Sequence, residues 1–465
     1  MAARHFTDGA VPLISQPMEQ IARTRLRRGI IITVVIFIVA AAAAGALAWR
    51  PGIPAIAPPG RGSFATTEIA RGAVLVALGD CAVCHTTMNG RPYAGGRGIS
   101  TPFGTVYATN ITPDSDTGIG RWSLAAFRRA MRDGIDRAGR HLYPVLPYPH
   151  FTRATDDDIA AMYAFLMTRT PVRQQAPPNA LPFPFSWRPL LAGWNLLFLR
   201  PGVRQADPAK GAVWNRGAYL VEAISHCGAC HTPHNLLGAE KGGQALAGGD
   251  AEGWYAPALQ AGSPAPVPWS ADALTTYLRT GFESAHGAAA GPMAPVTHQL
   301  ATLPDADVHA IAVYIASFMP PGRTPLGGAP NGGAPHGEAP QTDATGPATA
   351  SPSSVADLEA KPIFDGACGA CHAADAPMTH AGAPSLALST VINAPTSRGV
   401  VDVILHGLPW REGHAGPYMP AFAAALTDAQ IAALTMYLRA RYSDRPAWQD
   451  VNETVRAARR QEGGT

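Results

Sequence analysis

The chain has 465 residues, with 36 Lys and Arg set against 33 Asp and Glu for a formal net charge of +3. So small a balance, without a basic block interleaved with aromatics, excludes a nucleic-acid-binding surface. At ~150 residues per domain the length provides for about three domains.

Residues 1–28 form a tail that ends in Arg23, Arg25, Arg27 and Arg28, and the next stretch, Gly29 to Trp49, reads GIIITVVIFIVAAAAAGALAW without a charge. A helix needs ~20 apolar residues to cross the hydrocarbon core, so residues 29–49 are expected to be a transmembrane anchor. The preceding arginines then place the tail in the cytoplasm and everything after Arg50 across the membrane. Ala46 to Ala48 also resembles a signal-peptide cleavage site. The apolar run is longer than the ~7–15 residues of a signal core, so an uncleaved single-pass anchor in the inner (cytoplasmic) membrane is the expectation.

Every cysteine of the chain then falls in one kind of pentapeptide: CAVCH at Cys81 to His85, CGACH at Cys227 to His231, and CGACH at Cys368 to His372. The pattern C-x-x-C-H is the attachment signature of c-type haem, because two thiols add across the haem vinyl groups and the adjoining imidazole becomes the proximal iron ligand. A lone CxxC could also serve a zinc knuckle or a thioredoxin-like redox site. A zinc site takes four ligands, usually from two neighbouring pairs, and these pairs lie far apart in the chain. Cys81, Cys84, Cys227, Cys230, Cys368 and Cys371 are therefore expected to hold three covalent haem c groups, with His85, His231 and His372 under the irons. No cysteine is left for a disulfide.

The surroundings of the pentapeptides repeat as well. RGAVLVALGD from Arg71, RGAYLVEAISH from Arg216 and the shorter KPIFDGA from Lys361 each read as a short helix leading into a haem loop. Each copy closes with a second helical pattern, from Thr155, Leu303 and Leu426, opened by Thr or Pro and acidic residues. Ile159, Val308 and Ile431, with Phe165, Tyr314 and Tyr437, mark its inward face. No alternating strand pattern competes. The expected fold is mainly α: three cytochrome c-like helical haem domains after the N-terminal transmembrane helix, over residues 62–172, 207–319 and 355–445, with a C-terminal tail at 446–465. Residues 173–206 form an apolar connector that includes LPFPFSWRPLLAGWNLLFLRPG, Leu181 to Gly202. The plainer reading packs the first two units together; the other lays Trp187 and Trp194 at a membrane interface near a quinone. Residues 320–354, rich in Pro, Gly, Ala and Ser, read as a flexible tether for the third unit.

Each iron needs a sixth ligand, and methionine sulfur is a common one that raises the potential. GPYMPAF offers Met419 in the third unit and GPMAPV offers Met293 in the second. The first unit breaks the pattern, since Pro144-Val145-Leu146-Pro147 overlays Pro417-Tyr418-Met419-Pro420. Leucine cannot ligate iron. This haem is either five-coordinate or takes His150 from the same loop, with His141 and Met131 as further options.

The segments from Arg91 to Ser123 (RPYAGGRGISTPFGTVYATNITPDSDTGIGRWS), Glu252 to Leu259 (EGWYAPAL) and Met419 to Phe422 (MPAF) resemble the tri-haem cytochrome c subunits of membrane-bound periplasmic dehydrogenases of Gram-negative bacteria, which oxidise alcohols, aldehydes, gluconate or N-heterocycles. The likeness extends from about Arg71 to Arg441. It implies a separate catalytic subunit carrying pyrroloquinoline quinone, flavin or a molybdenum cofactor, together with a small iron-sulfur or accessory subunit. It further implies haem domains in the periplasm and ubiquinone as the electron acceptor. Leu146 departs from the Pro-x-Met-Pro-Tyr loop of the alcohol-dehydrogenase branch and looks more like the branch paired with molybdenum enzymes.

Three functions fit this reading. In the first, the chain is an electron-transfer subunit without catalytic residues of its own, since nothing in it suggests a nucleotide loop, a catalytic triad or a metal site other than haem. In the second, it is a haem enzyme whose open first iron reacts with peroxide or a small ligand. In the third, it is an oxidase-associated cytochrome.

Overall fold

The computed structural model describes residues 16–319, 355–373, 376, 385–409 and 417–462. The tether at 320–354 lies outside them. The first helix runs over Gln16–Ala48 and is 33 residues long, yet among the described residues no helix is long and apolar enough to cross a membrane. The expected transmembrane anchor at 29–49 is thus corrected, and with it the single-pass placement in the inner membrane. Arg23, Arg25, Arg27 and Arg28 belong to the same helix as the apolar run, so residues 16–28 and that run form one continuous helix. Its far end is fastened to protein: His141 Nε2 lies 2.9 Å from the Ala48 carbonyl, Arg129 donates to Pro51 O at 2.7 Å, and Ile53 N donates to Arg137 O at 2.8 Å.

The first unit pairs a leading helix, Thr66–Leu78, with a closing helix, Asp156–Met167. Thr155 caps the closing helix by accepting from Asp158 N, and three aspartates in its first turn complement the helix dipole. The second unit pairs Ala212–Tyr219 with Asp305–Ala316 in the same way, and the third pairs Val355–Ile363 with Asp428–Tyr442, where Thr427 and Gln430 form a capping box. Ile159, Val308 and Ile431 are each fully buried on the inward face. In the first two units the helices cross at backbone contact. A Cβ on Gly72 would stand 1.9 Å from the Ala161 carbonyl oxygen, and one on Gly217 1.9 Å from that of Ala310. Only glycine permits this approach.

Short antiparallel hairpins join the helices, and no alternating pattern in the sequence announces them. Gly98–Thr101 pairs with Gly104–Tyr107, Gly249–Ala251 with Trp254–Ala256, and Phe282–Glu283 with Gly287–Ala288. They are too short to show a period.

Among the described residues the core is organised as two bodies of apolar contact. One continuous cluster runs from Leu75 to Met319 and joins the first two units. The third unit has its own cluster, which reaches past residue 445 to Trp448, Val451, Val455 and Ala458. The expected C-terminal tail therefore contains a packed helix, Val451–Glu462. Its narrow apolar stripe is hidden among arginines and glutamates. In the connector, helix Leu190–Phe198 touches both leading units: Asn195 donates to Asp133 O at 3.1 Å and accepts from Tyr148 at 2.6 Å, while Trp194 donates to Leu237 O at 3.0 Å.

Gly72→Ala or Gly217→Ala is expected to cost about 2–3 kcal/mol or more by overpacking at the crossing. Gly366→Ala, where nothing stands within 4 Å, should be near neutral. Thermal unfolding of the three variants checks this; a parental Tm for Gly217→Ala would refute the crossing.

Candidate haem-binding centres

Each pentapeptide forms a single helical turn at the end of its leading helix. Cys81–Cys84 follows Asp80, whose φ of 51° turns the chain out of the helix. Cys227 caps the turn Gly228–His231 after one turn of π-helix over Leu220–Ile224, and the third turn, Gly369–His372, likewise follows a π-turn over Phe364–Cys368. Two thiols a turn apart, with an imidazole next to the second, are what covalent haem attachment requires.

The histidines are held for that role. His85 Nδ1 lies 2.6 Å from the Thr109 carbonyl oxygen, and His231 Nδ1 lies 2.7 Å from that of Pro257. With Nδ1–H donated to a carbonyl, the lone pair sits on Nε2 and the ring orientation is fixed, as metal ligation by a histidine requires. Burial pushes both imidazoles below their usual range against the opposing effect of those carbonyls, so they stay neutral and able to bind iron. Burial lowers His372 too; its Nδ1 has no partner among the described residues. The thiols move the other way. Burial raises Cys81 and Cys227 to about 12 and Cys84 and Cys230 to about 11. These are buried, protonated thiols rather than reactive thiolates. The residues present fit haem c.

On the distal side, Met293 opens helix Met293–Leu300, half-buried against the shared core. Met419 is half-buried in a backbone bridge with Leu408, through N–H···O contacts of 2.8 and 3.0 Å. Leu146 packs on the shared core, and Met131 is buried in helix Leu124–Asp133 as a core residue. His141 is tied to Ala48.

His150, the expected sixth ligand of the first haem, turns toward the second unit. Its Nδ1 lies 2.9 Å from the Glu222 carbonyl and its Nε2 lies 2.6 Å from Glu240 Oε1, so both nitrogens are engaged with the second unit. Its ring sits against the second haem loop, where a Cβ on Gly228 would be 3.1 Å from Cε1. Burial would raise the Glu240 carboxyl, but the hydrogen bond and charge of His150 outweigh it and hold that carboxyl low.

The two leading loops meet. His226 Nε2 lies 3.1 Å from Gly79 O, and Arg97 Nη2 lies 2.6 Å from Glu252 Oε2. Sequence reasoning passed over His226 and over the carbonyls of Thr109 and Pro257, which carry no side-chain signal. It had marked the stretches around Arg97 and Glu252, which turn out to touch.

A cytochrome c family model matches residues 69–170 and 358–441. The chain is 35% identical over 407 residues to the fructose dehydrogenase cytochrome subunit of Gluconobacter japonicus, covering 85% of this chain and 84% of that protein. It is 35% identical to the cytochrome c subunit of the quinone alcohol dehydrogenase of Komagataeibacter europaeus, covering 81% of each. The chain belongs to the cytochrome c subunits of dehydrogenases. It is also 48% identical over 409 residues to a nicotinate dehydrogenase subunit of Pseudomonas putida, covering 87% of this chain but 33% of the longer relative.

One acidic group of this cytochrome stands beside the paired centres. Burial pushes the Asp80 carboxyl from 3.8 up to about 7, against the opposing charge of Arg97, and its Oδ1 has no hydrogen-bond partner among the described residues. The folded state therefore holds a proton that the unfolded chain releases above 3.8. The associated stability is fully present below that pH and is lost as pH rises through about 7. Asp80→Asn should flatten this slope, matching the parent near pH 4 and gaining on it at pH 8 by about 2–4 kcal/mol. Denaturant midpoints at the two pH values check it; parallel pH profiles for variant and parent would refute it.

Proposed function

We propose that the chain relays single electrons through three covalently bound haem c groups, from a catalytic dehydrogenase subunit to ubiquinone. The observation that carries this reading is the threefold CxxCH turn, with two of its histidines locked through Nδ1 by backbone carbonyls. The haems would supply the one-electron carriers, and the chain supplies their spacing, axial ligands and burial. Relatives named as cytochrome subunits of fructose and quinone alcohol dehydrogenases support a catalytic partner, and the quinone in one of those names supports the acceptor. The likeness to the nicotinate dehydrogenase relative favours a partner that oxidises N-heterocycles, and the resemblance at Leu146 favours the molybdenum type over the flavin and pyrroloquinoline quinone types. A small iron-sulfur or accessory subunit would complete the complex.

Met293 and Met419 are proposed as the distal ligands of the second and third irons. With Leu146 in the corresponding loop and both His150 nitrogens engaged with the second unit, the first iron is left without a sixth ligand from that loop. That favours a second property, binding of a small ligand such as CO at the first reduced haem. Haem analysis is expected to return three haems per chain, reduced to two by Cys371→Ala, and near-infrared iron–sulfur bands for two. Met293→Leu and Met419→Leu should each remove one band and lower one potential. His150→Ala should leave the first haem's spectrum unchanged. Fewer than three haems, or no dehydrogenase subunit in the purified complex, would overturn the relay.

The third unit should be separable. A two-haem cytochrome of Cereibacter sphaeroides matches 258 residues of this chain at 39% identity, covering 54% of the chain and 86% of that protein, and the first two units share one core. A chain ending at Met319 is expected to fold and keep two haems; its degradation or loss of both would refute this.

A further inference from the structure

Between the first two haem loops stands a side chain that the relay has not yet used. His226 directly precedes Cys227 with φ +39°, and its Nε2 lies 3.1 Å from the carbonyl oxygen of Gly79, two residues ahead of Cys81. The ring is fixed edge-on against Phe151, at 5.6 Å between centroids and 89° between planes. Burial and the neighbouring His150 push His226 down to about 4, so the ring is neutral at neutral pH. Facing a carbonyl, its Nε2 carries the proton and donates. The two loops also pass close at the same place, since a Cβ on Gly79 would stand 3.5 Å from Ile224 O of the second unit.

A second clasp holds the loops independently. Arg97 and Glu252 pair at 2.6 Å between the two hairpins that follow the motifs. The Cys84 thiol feels both of these groups, and the Cys230 thiol feels Glu252 and Cys84. The second thiol of each motif therefore lies at this same junction. The separation of the two centres does not rest on His226 alone.

We propose that His226 is the positioning residue that couples the first two haem sites. Cys81, Asp80 and Gly79 lead by covalent bonds to a carbonyl, one hydrogen bond crosses to His226, and His226 is bonded directly to Cys227. The exchange this connection serves moves one electron from the ferrous iron of one centre to the ferric iron of the other. No bond is made or broken and no proton leaves the ring.

This rests on the reading that both motifs carry haem, and the test separates the two. In the full chain, His226→Gln keeps a donor toward Gly79 O, whereas His226→Phe keeps a ring without one. Haem content is measured first by pyridine haemochrome and mass spectrometry. Inter-haem equilibration after flash photoreduction is then followed optically, the first haem being distinguished by its lack of the sulfur band. H226Q is expected to retain the parental rate, and H226F to slow the exchange several-fold with both haems still attached. If H226F loses haem, His226→Met replaces it, filling the volume without a donor. A parental rate in the donorless variant, or equal slowing in H226Q, would overturn the bridge. A parent chain with haem at only one of the two motifs would instead overturn the functional reading.

Discussion

Everything in the two leading units depends on two helices crossing with no side chain between them. Gly72 and Gly217 bring the leading helix onto the carbonyls of Ala161 and Ala310, so the closing helix acts as a rigid backstop. That contact sets where the leading helix ends, and hence where each cysteine turn begins. The remaining freedom is taken up over a few residues. In the first unit Asp80 leaves the helix through the left-handed region, and in the second a π-turn absorbs an extra residue before His226 does the same. The same motif is thus delivered from two slightly different leads. A haem loop hung on a looser crossing would lose the fixed relation between its thiols and the carbonyl that orients its histidine.

The fusion of those two units is partly apolar and partly ionic. Glu222 of the second unit takes Arg153 of the first at 3.0 Å and Arg204 of the connector at 3.2 Å, and it also accepts from Tyr314 of its own closing helix. At the same seam Asp158, paired with Arg71 of its own unit at 2.6 Å, accepts from Tyr219 of the second unit. Partly buried pairs of this kind gain little net stability over apolar contacts but penalise any other docking, because a misplaced unit would strand charges away from water. The third unit is attached differently. Thr390 donates through N and Oγ1 to the His286 carbonyl, both at 3.1 Å, and Trp254 packs on His406. Its own core does not merge with the other.

Much of this was legible in the sequence, for reasons that differ by residue. The pentapeptides and the closing helices could be read because covalent attachment and helical burial both impose fixed spacing, and Ile159, Val308 and Ile431 are buried as that spacing requires. Thr109 and Pro257 could not be read, because they act through backbone oxygens that any residue supplies. The contacts of His150 with the second unit could not be read, because proximity along a loop says nothing of which unit a side chain turns toward once two units are fused. The C-terminal helix was missed because Val451, Val455 and Ala458 form a stripe only one residue wide. The apolar stretch after Gly29 misled in another way: composition alone does not reveal that the arginines before it continue the same helix.

The two ends of the proposed relay differ in ligand and in setting. Burial disfavours the charged ferric form and raises a potential, while loss of a sulfur ligand lowers it. The first centre combines a partly buried motif with Leu146 where the methionine would stand. The third combines the proposed Met419 with a motif whose second cysteine, Cys371, is exposed. In each the two influences oppose one another, which draws the potentials together. A chain of carriers passes electrons readily in sequence only when no member is a deep trap, so pairing the missing sulfur with burial and the retained sulfur with exposure is the arrangement a relay needs.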